Sequence, residues 1–305
     1  MKTLKIATRK SPLALWQAQN VKSGLEKLHS GLQVELVKMT TEGDKILNSP
    51  LSKIGGKGLF IKELELGMLA GEADIAVHSM KDLPYEIADD FALGAILKRE
   101  NPFDGLVSND FSSIENLPKN AKIGTCSMRR ILQLKALRPD LEILDLRGNV
   151  NTRLQKLDDG KYDAIILACA GLLRLGLEGR IRQQIPPEQS LPAVGQGAIG
   201  IEIRKNDTNI LELISPLICP ETSSRITAER AMNKRLKGGC SVPIAGFATI
   251  KNQQIHLSGL VGNVATGVIL KREVSGAVKN AKSLGTELAD ELIGLGAREI
   301  LQGKK

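Results

Sequence analysis

Short apolar runs alternate with helix-spaced stretches along this chain, and the pattern runs through the first hundred residues and then starts again. Leu4–Thr8 reads as a buried strand, and Pro12 opens a helix that runs to about Leu28. Leu32–Met39 is the next strand, Leu59–Leu69 a helix, and Ala73–His78 and Ala92–Leu97 two more short strands. After Asn101-Pro102 come strand Lys122–Thr125, helix Ser127–Leu137, strand Glu142–Leu146, helix Asn149–Leu157 and strand Asp163–Ala168. Such alternation predicts a doubly wound α/β domain, here twice over. Pro186, Pro187 and Pro192 mark a passage out of the second unit, and Ile199–Ile203 is a further strand placed to return to the first sheet, so two crossings make a hinge. Beyond Pro220, a helix around Ser223–Leu236, strands near Phe247–Ile250, Ile255–Val261 and Val268–Val274, and a helix from about Val278 to Leu301 form a smaller α+β domain. The expected division is 1–98 with 198–217, then 103–192, then 220–305.

The length of 305 residues suits two or three domains at roughly 100–200 residues each. With 42% hydrophobic and 25% charged residues, wholesale disorder and fibrous structure are excluded. The most apolar run, Ala164–Leu173, is bounded by Asp163 and Arg174 and is about half of a membrane span, so no membrane association is expected. The first residues mix Lys and Arg into the apolar positions and show no secretory leader, which reads as a cytoplasmic protein. Four cysteines without Cys-x-x-Cys spacing, beside only three His, give no metal-ligand pattern, so no metal is expected. The net charge of +8 suggests an anionic partner, but 3% aromatics leave few base-stacking platforms, so nucleic acid is not expected.

In open α/β sheets ligands lie beyond the carboxyl ends of the strands, and here those ends are basic. Thr8-Arg9-Lys10-Ser11, Ser79-Met80-Lys81-Asp82, Cys126-Ser127-Met128-Arg129-Arg130 and Arg147-Gly148-Asn149 each follow a strand, with Arg153 and Arg174 about a turn further on. Helix N-terminal amides and guanidinium groups together suit carboxylate or phosphate. An anion-binding cleft between two domains is the expectation, against the plainer reading of solvated surface charge.

Asp82 places a carboxylate among these cations, as a structural ion pair or as a group that handles protons or stabilises a cation. His78 just before it reads as a hydrogen-bonded structural residue. Lys53-Ile54-Gly55-Gly56-Lys57-Gly58 lacks the spacing of a phosphate-binding Walker loop and reads instead as a glycine-hinged lid, within a long loop 40–58, that carries Lys53 and Lys57. Cys240, between Gly238-Gly239 and Ser241-Val242-Pro243 and near Lys234, Arg235 and Lys237, is a candidate nucleophile or covalent tether. Cys169 reads as core, and Cys126 and Cys219 as small hydrophobes.

Taken together, these motifs resemble the porphobilinogen deaminase (hydroxymethylbilane synthase) family. The resemblance runs in order through Thr8–Gln17, Lys57-Gly58-Leu59-Phe60, His78-Ser79-Met80-Lys81-Asp82-Leu83-Pro84, Arg147-Gly148-Asn149-Val150, Leu191–Gly197 and Gly238-Gly239-Cys240. It implies two domains like periplasmic binding proteins joined by hinges, a third that carries a cofactor, and a monomer. The implied cofactor is a dipyrromethane, made from the enzyme's own substrate and held by a thioether to Cys240. The implied reaction joins four porphobilinogen molecules head to tail, each losing ammonia to give an electrophilic azafulvene.

On the same resemblance Asp82 is the catalytic residue, and Lys81, Thr125, Ser127, Arg129 and Arg130 hold the cofactor. Arg9, Ser11, Arg147, Arg153 and Arg174 bind the acetate and propionate groups of the substrate and growing chain. Two departures stand out: Cys126 where the family usually has Ser, and the details of the hinge from Arg99 to Asp104. A non-catalytic two-lobed anion-binding protein would explain the basic strand ends but gives Cys240 and Asp82 no role.

Overall fold

Ser11 and Pro12 set where the first helix begins. In the computed structural model, which describes residues 3–45, 61–239 and 242–303, the Ser11 hydroxyl accepts from the Ala14 amide at 3.3 Å. Pro12 then occupies a first-turn position whose amide would have no intrahelical partner anyway. Helix α1 (Pro12–Leu28) buries Ala18, Val21 and Leu25 against Leu4 and Ile6 of β1 (Thr3–Arg9). Of these, each fully buried Val, Leu or Ile side chain contributes about 1.5–3 kcal/mol.

The described chain divides into two units, Met1–Glu100 with Ala198–Ser223, and Asn101–Gly197 with Ser224–Lys305. In the first, β2 (Gln33–Met39) and β3 (Ile75–Ser79) flank β1 in parallel, and β10 (Ile199–Arg204) returns between β3 and β4 (Phe91–Ile96). The sheet order is β2-β1-β3-β10-β4, and β10 is antiparallel to both of its neighbours. Thus the expected return strand is present, but in a mixed sheet. The single turn α2 (Glu42–Lys45) replaces the start of the expected loop, and the rest of the proposed lid, with Lys53 and Lys57, lies outside the described residues. Helix α3 (Lys62–Leu69) covers the other face through Leu64 and Met68, packed on Ala7 and Ala76.

The second unit carries a five-stranded sheet in the order β7-β6-β8-β5-β9. Its strands are β5 (Asp104–Val107), β6 (Lys122–Gly124), β7 (Glu142–Leu144), β8 (Ala164–Ala168) and β9 (Ile181–Ile185). The sequence reading contains neither β5 nor β9. Four residues beginning Asp-Gly carry no strand signal, and the polar centre of β9 is that of an edge strand. Helices α4 (Met128–Leu137), α5 (Val150–Asp158) and α6 (Cys169–Arg174) follow β6, β7 and β8. The apolar run that starts at Ala164 is therefore a buried strand followed by a buried turn of helix.

Helix α7 (Thr208–Ile214), also absent from the sequence reading, follows β10, and α8 (Pro220–Arg235) begins close to the expected place. The last sheet is an antiparallel β11-β12-β13 meander (Ile244–Lys251, Gln254–Gly262, Ile269–Ala277). It is covered by Leu284, Leu288 and Leu292 of α9 (Ala281–Gly294), and α10 (Ala297–Leu301) follows as a separate helix. One long terminal helix was expected; Gly296, in the left-handed region at φ 97°, breaks it. Leu132 and Leu191 share a cluster with Phe247 and Leu260, so this small sheet packs on the rest of its own unit.

Candidate active site

In the first unit, β1 and β3 run side by side in parallel, so Arg9 to Ser11 and Ser79 to Asp82 emerge at the same sheet edge. The Ser11 hydroxyl is engaged in capping α1. After Ser79 the chain turns through a short 3-10 segment, Met80–Asp82. This turn is firmly held. Gln17 Nε2 donates to Ser79 Oγ at 2.7 Å, and the Met80 amide donates to the Ala198 carbonyl at 3.0 Å. The Met80 side chain is buried, whereas Lys81 is half-buried and Asp82 exposed. The result is a rigid support for an accessible carboxylate and ammonium. His78 lies 2.9 Å from Glu202 Oε2, the hydrogen-bonded structural setting expected of it.

In the second unit, β6 lies parallel between β7 and β8, so the segments after these three strands share one edge. Thr125 is buried, its amide donating to the Leu144 carbonyl at 2.9 Å and its hydroxyl oxygen accepting from the Ser127 amide at 3.3 Å. Ser127 precedes α4, and its side chain makes no capping bond. Cys126 between them is a free, half-buried thiol. After β7, Gly148 adopts φ 114°, and a Cβ there would lie 2.7 Å from Thr152, so this turn requires glycine. Asn149 caps α5 by accepting from the Thr152 amide, and Arg153 Nε donates to the Gly148 carbonyl at 2.7 Å. Arg147 is half-buried, its carbonyl accepting from Lys156 Nζ. Arg174, at the end of α6, is buried and donates to the Gly197 carbonyl at 2.7 Å.

Arg129 and Arg130 are also buried, and both meet Asp104, a residue the sequence reading passed over. Asp104 is 0% exposed. Its carboxylate accepts from Arg129 at 2.7 Å, from Arg130 Nη2 at 2.7 Å and Nε at 3.0 Å, and from Gln196 Nε2 at 3.0 Å. Arg129 also donates to the Leu191 carbonyl, and Arg130 to that of Ile166. Burial alone would raise the Asp104 carboxyl, but the two guanidinium charges and their hydrogen bonds hold it well below the usual carboxylate range. Two cations against one carboxylate leave a net positive charge near the start of α4. Gln196 ties Leu191–Gly197 to this cluster, a role no local signal revealed. Glu229 was also unread; its two oxygens accept the Gly195 and Ala248 amides at 2.8 and 2.9 Å.

Asp104→Asn keeps the shape but leaves two buried guanidiniums without a counter-charge, and should cost about 3–5 kcal/mol in urea unfolding. Because the folded carboxyl titrates below its unfolded value of about 3.9, the pair's contribution is complete above that pH. The deficit of the variant should therefore be constant above about pH 4 and shrink as the medium is acidified through the folded value. A variant as stable as the parent at pH 7 would show that the cluster contributes nothing to folding.

Cys240, Lys53 and Lys57 lie outside the described residues. The chain approaches Cys240 from the end of α8 through Lys237, itself left-handed at φ 53°. Of the cations near it in sequence, Arg235 is paired with Asp290 at 2.6 Å. Cys169 is core, as read, and burial pushes its thiol up to about 12. Among the described residues no helix is long and apolar enough to cross a membrane.

The class that this fold and these strand ends define is a two-unit α/β protein with cations and hydroxyls gathered at the carboxyl ends of its strands. Family models described as "Porphobilinogen deaminase, dipyromethane cofactor binding domain" and "Porphobilinogen deaminase, C-terminal domain" match residues 4–212 and 223–294. The porphobilinogen deaminases of Ruthia magnifica subsp. Calyptogena magnifica and Vesicomyosocius okutanii subsp. Calyptogena okutanii are each 73% identical over 301 residues, covering 99% of this chain and 99% of their own. The chain belongs to the porphobilinogen deaminase family. Among solved structures, a periplasmic substrate-binding protein of an ABC transporter from Coxiella burnetii aligns at a TM-score of 0.46 and 16% identity, covering 74% of this chain and 96% of its own.

Proposed function

We propose that this chain deaminates porphobilinogen and joins four molecules of it into hydroxymethylbilane, on a dipyrromethane primer attached through Cys240. The observation that carries this reading is the pinned Met80–Asp82 turn, which presents an exposed carboxylate beside Lys81 at the sheet edge where Arg9 emerges. A dipyrromethane has carboxylate side chains and pyrrole N–H groups, so it needs cations, hydroxyls and a carboxylate. Lys81, Arg129, Arg130, Thr125, Ser127 and Asp82 are a donor set of that kind, and the excess positive charge of the Asp104 cluster suits an added carboxylate. When bound, the cofactor supplies a free pyrrole α-carbon as nucleophile.

The residues do the rest. Arg9, Ser11, Arg147, Arg153 and Arg174 bind the acetate and propionate groups of the incoming substrate and growing chain. The Asp82 carboxylate stabilises the cationic azafulvene left when ammonia departs, and assists proton transfer to the leaving amine and from the newly bonded carbon. The lid carrying Lys53 and Lys57, the division into 1–98 with 198–217, 103–192 and 220–305, and a monomeric state in the cytoplasm belong to the same reading. Separate hydrophobic clusters under each of the three sheets support that division.

Charge accumulates as the chain grows, so cations matter more at later additions. Arg147→His is therefore expected to bind the first substrate nearly normally and to stall elongation. Mass spectrometry under single turnover should show species with one to three added rings persisting; intermediates that rise and decay as in the parent enzyme would refute the assignment. The function itself is tested by intact mass and peptide mapping of the purified protein. Two linked pyrrole units on the Cys240 peptide, or their uptake on incubation with porphobilinogen, support the reading. A Cys240 that never gains this mass would leave an anion-binding protein.

A further inference from the structure

His78 and Glu202 meet across the β3–β10 ladder, on the sheet face that also carries Ala76 and is covered by α3. Gly200 is opposite His78 and Glu202 opposite Ala76, so the two side chains are diagonal neighbours on one face. His78 Nε2 lies 2.9 Å from Glu202 Oε2, with His78 6% and Glu202 0% exposed. The other carboxylate oxygen of Glu202, Oε1, is buried with no hydrogen-bond partner among the described residues. On α3, Glu65 is within electrostatic reach: burial first, then the Glu202 charge, raise its carboxyl above the ordinary value, and His78 opposes them. A polar pair with an unsatisfied oxygen, next to a second carboxylate, is a poor way to stabilise a sheet face. Its use lies in what it holds in place.

What it holds is the end of β3. One residue after His78 comes Ser79, bonded to Gln17, then Met80, whose amide is bonded to Ala198 two residues before Gly200. Gly200 itself leaves room for the Met80 side chain, since a Cβ there would run into the Met80 sulfur. Three attachments therefore converge on His78, Ser79 and Met80, the three residues that lead into Lys81 and Asp82, and the His78–Glu202 pair is the one of the three made between side chains of β3 and β10. We propose that this pair is a positioning device for the Met80–Asp82 turn, fixing the end of β3 on the returning strand so that Asp82 is presented at one place. The inference rests on the catalytic reading of Asp82. A displacement of about 1 Å at a reacting group can cost around a hundredfold in rate, so a modest loosening of β3 would be felt in turnover before it was felt in folding.

Glu202→Gln keeps the size and an acceptor oxygen and removes the carboxylate. The holoenzyme variant is expected to lose about ten- to a hundredfold in kcat with KM for porphobilinogen within about twofold. Faster amide hydrogen exchange at Met80 and Leu83, and an unchanged covalent mass, should accompany that loss. His78→Gln should behave alike, and the double variant should be no slower than the slower single one, because the two side chains act as one unit. Combined with Asp82→Glu, the loss should be smaller than the product of the separate losses. A parental kcat and parental exchange in both single variants, beside a slow Asp82→Glu, would overturn the positioning role alone. A parental rate in Asp82→Glu would overturn the Asp82 assignment and this inference with it.

Discussion

Cys240→Ser is expected to purify at the mass of the bare polypeptide, to take up nothing from porphobilinogen, and to show no measurable turnover. A thioether needs a thiolate, and a serine hydroxyl, far less acidic, will not replace it. The sequence around Cys240 favours ionisation through its side chains rather than its backbone. Cys240 comes five residues after the last residue of α8 in sequence, and the Met232, Asn233 and Lys234 carbonyls at that end accept the Leu236, Gly238 and Lys237 amides. Lys234 and Lys237 are near it in sequence, and Arg235 is paired with Asp290. Because the residue follows a glycine turn, the serine variant should keep the thermal midpoint of the apoprotein, which separates loss of the tether from loss of the fold. The decisive measurement is intact mass before and after incubation with porphobilinogen. Covalent pyrrole mass in Cys240→Ser would place the attachment on another residue.

Local chemistry made much of this architecture legible, and the unread parts are those that distance decides. Ser11-Pro12 gave the start of α1 to the residue because cap and proline act within one turn. The return of Ile199–Ile203 to the first sheet was readable from a short apolar strand isolated between Pro192 and the next helix, but its antiparallel direction was not. Asp104–Val107 is buried only because β8 and β9 close on either side of it, contacts made some 60 to 80 residues away in sequence. The same holds for the site. Arg129, Arg130 and Asp82 stand out by charge at strand ends, whereas Asp104, Gln196 and Glu202 acquire meaning only from partners 25, 92 and 124 residues distant. An acidic residue directly after Asn101-Pro102-Phe103 is the one local signal for Asp104, and in sequence it is indistinguishable from hinge composition. Gly296 shows the converse: a glycine within a helical pattern was read through, and the chain used it to stop.

Asp82→Glu should lower kcat about a hundredfold while leaving stability within about 0.5 kcal/mol of the parent, the usual range for an exposed position. The added methylene moves the carboxylate by about 1.5 Å, and the backbone has little freedom to retreat. Ser79 is held by Gln17, Met80 by Ala198 and by burial, and Leu83 is buried with its amide turned back to the Met80 carbonyl at 3.4 Å. Pro84 then restricts the residue before it. A longer side chain on a turn this constrained must fold back on itself or overshoot. Asp82→Asn separates place from charge, since it keeps the geometry and removes the anion. If electrostatic stabilisation of the azafulvene is the main contribution, the asparagine variant should lose on the order of 10² to 10³ in kcat and be at least as slow as the glutamate variant. If proton transfer dominates, asparagine, which cannot take up a proton, should lose well beyond about 10³ in kcat and show no acid limb in its pH–rate profile, whereas glutamate keeps that limb and its roughly hundredfold loss. Steady-state kinetics on both, with KM and thermal midpoints measured on the same preparations, decide between them. Parental kcat in both would remove Asp82 from the chemistry.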